Sequence, residues 1–92
     1  MSIIDVERLV TMANQIGDFF APYAEDRAVE GVRNHLRNYW DPRMREALLA
    51  HLDATGGHDV LPHVRLAADL IRAETAARTS DRRAYAGPPK PG

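Results

Sequence analysis

At 92 residues the chain is long enough for one small domain with a modest core. A net charge of −1 supplies no basic field for nucleic acid or an anionic membrane. The absence of cysteine excludes disulfides, iron–sulfur ligation and thiolate zinc sites in this chain.

Asp5 is positioned to cap a first helix ending near Phe20, with Val6, Leu9, Val10, Ala13, Gly17 and Phe20 forming one apolar face. Met12 and Phe19 fall outside that face, on a side about 100° away, and Ile16 bridges the two. Pro22 interrupts the helix at Ala21. A second helix starts at Glu25 or Asp26 and runs to Tyr39 or Trp40, turning Val29, Val32, Leu36, Tyr39 and Trp40 inward. Arg33 and Arg37 flank this face. They read as a solvated edge or, joined by Arg43 and Arg45, as a basic patch for an acidic partner surface.

Asp41-Pro42 sets the next corner. Aspartate is a good N-cap, and proline suits the first helical position, so the third helix begins at Pro42 almost without a loop. Trp40, the only tryptophan, sits at that corner. Met44, Leu48, Leu49 and Leu52 share an arc that also contains Arg45. A cation there either snorkels to water or bridges to a carboxylate of another chain. The third helix runs to about Ala54 and ends at Gly56-Gly57.

A fourth helix is expected from near Asp59 to about Arg78, with Val60, Val64, Ala67, Ala68 and Ile71 inward. Leu66, Leu70, Ala73 and Ala77 form a second apolar stripe. Such a surplus in a small domain points to docking on something larger. The pattern fails from Thr79 onward: Ser80-Asp81-Arg82-Arg83 is polar and Ala86-Gly87-Pro88-Pro89-Lys90-Pro91-Gly92 is irregular, which predicts a flexible or extended tail with Tyr85 as its one anchor. The fold expected is all-α, a small four-helix bundle over residues 1–78 with an irregular tail over 79–92. No apolar run is long enough to cross a bilayer, and the N-terminus does not read as a signal peptide.

His51, His58 and His63, with Asp53 and Asp59 between them, match no metal motif and read as solvated surface. His35 is expected to be buried and hydrogen-bonded on the flank of the second helix. No nucleophile motif, phosphate loop or dinucleotide fingerprint is present, so the chain does not read as an enzyme, and no catalytic, cofactor or metal residue is assigned.

Three stretches taken together, 12–20 (MANQIGDFF), 32–36 (VRNHL) and 39–45 (YWDPRMR), resemble the delta subunit of the NAD-dependent, molybdenum-containing formate dehydrogenases. The likeness runs from about Val10 through Leu70 and leaves out the tail. It implies a non-catalytic subunit of a cytoplasmic hetero-oligomer, docked on a catalytic alpha subunit and supporting assembly or stability of the cofactor-loaded enzyme. The resemblance puts the molybdenum–pterin centre, iron–sulfur clusters and flavin in the alpha, beta and gamma subunits, with no cofactor in this chain. The expected contact residues are Met12, Phe19, Trp40, Arg43 and Arg45, followed by Leu66 and Leu70. Two other readings compete: a helical nucleic-acid-binding module using Arg33, Arg37, Arg43 and Arg45, and a stand-alone small-molecule or metal-binding bundle using the histidines.

Overall fold

The computed structural model describes the backbone of residues 5–86 and the side chains of residues 5–77. Its helices are α1 (Val6–Phe20), α2 (Glu25–Tyr39), α3 (Pro42–Thr55) and α4 (Pro62–Ala86), with no strand among the described residues. This is the expected all-α bundle of four helices.

Local chemistry sets most of the ends. The Asp5 carboxylate accepts from the amides of Glu7 at 3.1 Å and Arg8 at 3.4 Å, satisfying two donors that have no partner within the helix. Glu25 and Asp26 place negative charge at the positive end of α2. Asp41 accepts from the Arg43 amide at 2.8 Å and Pro42 takes the first helical position, so α3 starts as the sequence predicts. Gly56, at φ 79°, takes the left-handed conformation that ends α3.

The fourth helix differs from expectation at both ends. It begins at Pro62 and not near Asp59, because residues 59–61 are committed elsewhere. Asn14 of α1 donates to the Asp59 carbonyl at 2.9 Å and accepts from the Leu61 amide at 3.0 Å, while the Val60 amide bonds back to Gly57. The helix also continues past Arg78 to Ala86. The alanines and arginines of this stretch favour a helix, and the first strong breakers are Gly87 and Pro88. Residues 87–92, read as irregular, lie outside the described residues, as does the side chain of Tyr85.

The core gathers the inward faces. Leu36, Leu48, Val32 and Val64 are the largest fully buried side chains, and Trp40 is only 5% exposed. α2 packs on α4 and α1, and α1 also meets α3 and α4. Gly17 permits the close approach of α1 to α4, since a Cβ there would stand 2.6 Å from Val64 Cγ2. Tyr39 is the exception to the predicted α2 face: at 76% exposure it points away from the core, and Trp40 fills the corner instead.

Candidate protein interface

An open groove of about 540 Å³ runs between α1 and the α2–α3 corner. Met12, Gln15, Ile16, Phe19 and Phe20 line it from α1, and His35 and Trp40 line it from the other side. The i,i+4 spacing of Met12 and Ile16, with Phe19 three residues on, brings these side chains to one side of the helix. The adjoining side of α1, about 100° round the helix, carries buried Leu9, Val10 and Ala13. Phe19 is 68% exposed and meets Phe20 edge-on, with ring centroids 4.9 Å apart. His35 is half-buried, its ring tilted at 41° to that of exposed Tyr39 with centroids 4.9 Å apart, which corrects its expected burial. An exposed aromatic beside an apolar groove is the arrangement that protein interfaces favour for their anchors.

The predicted contact residues do not form one patch. Met12 and Phe19 line the groove together with the largely buried Trp40. Arg43 is exposed in the first turn of α3. Leu66 and Leu70 are exposed on α4 and line a separate depression.

Within the chain, the Arg45 guanidinium does not simply snorkel to water. Its Nη1 donates to the carbonyls of Trp40 at 2.6 Å, Leu36 at 3.1 Å and Arg37 at 3.3 Å, putting a cation on the negative end of α2. Arg45→Met is therefore expected to cost about 1–3 kcal/mol of folding stability, by leaving those carbonyls without their charged donor. A urea melt of the variant with an unshifted midpoint would show that the cap is dispensable.

Arg33 and Arg37 are likewise engaged. Both reach Glu74 of α4, at 3.3 Å and 3.5 Å, so they pin α2 to α4 and are not a free edge. Three of the four arginines of the basic-patch reading thus have partners inside the chain.

The histidines are spread among separate acceptors. His63 Nε2 donates to the Gly17 carbonyl at 2.7 Å, His51 pairs with Asp59 at 3.0 Å, and His58 Nδ1 lies 3.4 Å from the Thr55 carbonyl. No group of three His, Cys, Asp or Glu side chains able to hold a metal ion occurs among the described residues. At Asp59 partial desolvation acts to raise the pKa, but the hydrogen bond from His51, a backbone hydrogen bond and the nearby charges of His51 and His58 hold it below its ordinary value of 3.8. A carboxyl lowered in this way stabilises the fold above its ordinary value and loses that contribution as the pH falls through the lowered one. Asp59→Asn should therefore flatten the fall in urea midpoint as the pH drops below the ordinary carboxyl value of 3.8. Parallel acid limbs for wild type and variant would mean that the pair contributes nothing to folding.

Periodicity does not mark Gln15, Phe20 and His35 as lining the groove, nor Asn14 as the tie to the α3–α4 junction. Asn14 had no local signal, since its two partners lie in the α3–α4 loop. Tyr39 was assigned inward on periodicity, although helix ends are where periodicity is least reliable.

Residues 8–68 match the family described as the NADH-dependent formate dehydrogenase delta subunit, FdsD. The chain belongs to this family. The match spans α1 to α3 and the start of α4, so it includes Met12, Phe19, Trp40, Arg43, Arg45 and Leu66 but stops short of Leu70. No curated protein and no solved structure matches the chain. Among the described residues of this delta subunit, no helix is long and apolar enough to cross a membrane.

Proposed function

We propose that this delta subunit is a non-catalytic docking component, seated on the catalytic alpha subunit of a cytoplasmic formate dehydrogenase. In that position it supports assembly or stability of the cofactor-loaded enzyme beside the beta and gamma subunits. The observation that carries the reading is the apolar groove with Phe19 exposed at its wall, on a helix whose adjoining side is already buried in the core. Met12 and Phe19 are the anchors, Trp40 backs them, and Arg43 supplies a charge at the corner. Arg45 contributes by holding the corner in shape. Stable interfaces bury on the order of 1,200–2,000 Å² in total, within reach of one side of a domain this size.

The delta subunit holds no cofactor of its own on this reading. It has no thiolate for a cluster, and His51 and His63 are each bonded to a different protein group. The molybdenum–pterin centre, iron–sulfur clusters and flavin belong to the other subunits.

The test is co-expression of a tagged alpha subunit with and without this chain. Retention of the chain through purification, with lower molybdenum content and lower formate-dependent NAD reduction in its absence, is the expected result. A chain lost in the first wash, with metal content and activity unchanged, would end the proposal.

A further inference from the structure

The exposed leucines of α4 belong to a second surface of different character. Leu66 and Leu70 are 44% and 41% exposed, and with Val29 of α2 they line a depression of about 480 Å³. Its remaining lining residues are Glu25, Asp26 and Asp69, all carboxylates. The α1 groove, by contrast, has no carboxylate in its lining. On α2 the two surfaces face apart: Asp26 and His35 are nine residues, or about two and a half turns, from each other.

Glu25 and Asp26 have a local reason to be acidic, because they lie in the first turn of α2. Asp69 has none. It sits inside α4 between the two leucines, where aspartate is a poor helix former, and it makes no ion pair among the described residues. Arg65 and Arg72 line a neighbouring cleft with Leu66 and Asp69. Arg72 pairs there with Asp53 at 2.9 Å, and the stem of Arg65 lies over Gly57.

We infer that the Val29–Leu66–Leu70 depression is a second docking site, which takes a basic amphipathic helix of a partner protein. The apolar side chains of that helix seat between Leu66 and Leu70, and its lysines or arginines meet Glu25, Asp26 and Asp69. The chain then joins two polypeptide surfaces, one at the α1 groove and one at α4. The inference does not depend on the alpha-subunit reading, and co-purification with the alpha subunit can fail while this site stands.

Two synthetic helical peptides test it against the isotope-labelled full chain by amide chemical shifts. One carries leucines at i and i+4 flanked by lysines; the other has glutamate in place of every lysine. The lysine peptide should bind saturably and shift the amides of Val29, Leu66, Asp69 and Leu70. Its affinity should fall about tenfold or more between about 50 and about 500 mM salt, as screening removes the attraction. Asp69→Lys, a change at an exposed position, should weaken the lysine peptide about tenfold and admit the glutamate peptide instead. Equal binding of both peptides to the unaltered chain, shifts confined to the α1 groove, or no saturable binding would each overturn the assignment.

Discussion

Trp40→Ala is expected to remove about 3–5 kcal/mol of folding stability, the cost of emptying a large aromatic from a packed core. Trp40 is 5% exposed and packs in one cluster with Leu36 and Leu48. It is also the residue at which α2 stops, with extended backbone at φ −90° and ψ 139°. The cavity would therefore open at the corner between two helices. Domains as a class are stable by about 5–15 kcal/mol, and a small one lies toward the lower end, so the variant should lose cooperative unfolding near body temperature. Circular dichroism in urea is the measurement, since the change removes the only tryptophan fluorophore. A loss below about 1 kcal/mol would place Trp40 among ordinary surface positions and undo the account of the corner.

Phe19→Ala should behave in the opposite way. With 68% of its surface already in water and only an edge contact to Phe20, its truncation should shift stability by no more than about 0.5 kcal/mol. Binding to the alpha subunit should weaken by about 2 kcal/mol or more, roughly thirtyfold, if the ring is the buried anchor of the interface. Titration of the intact chain and of the variant against immobilised alpha subunit separates the two quantities, provided that both melts coincide. Unchanged affinity at unchanged stability would take Phe19 out of the contact. Arg45 offers the useful contrast: its loss should weaken binding only to the extent that it loosens the corner.

Where the determinant of a feature is local, the sequence announced it. Asp5, Asp41-Pro42 and Gly56 act on amides and carbonyls within one turn, and the ends they govern fall where they were expected. The inward faces of α1 and α4 were readable because burial repeats with the helical period. What escaped was set by distant partners. The start of α4 depends on Asn14, from a helix that ends far earlier in the chain. The state of Arg45 depends on carbonyls exposed only because α2 terminates beside it. The groove was half legible: Met12 and Phe19 stand out as apolar positions off the main stripe and Trp40 is expected with them, but no local signal sets His35 beside them.

The inner side of α1 is stitched to the α3–α4 junction by the paired bonds of Asn14, by His63 on the Gly17 carbonyl, and by the tight seat of Gly17 against Val64. Met12, Ile16 and Phe19 project from an adjoining side of that same helix. The backbone beneath them is therefore immobilised when the domain folds, before any visitor arrives. A molecule entering the groove meets a finished wall and loses no affinity to straightening it, so its residence there is governed by what it brings.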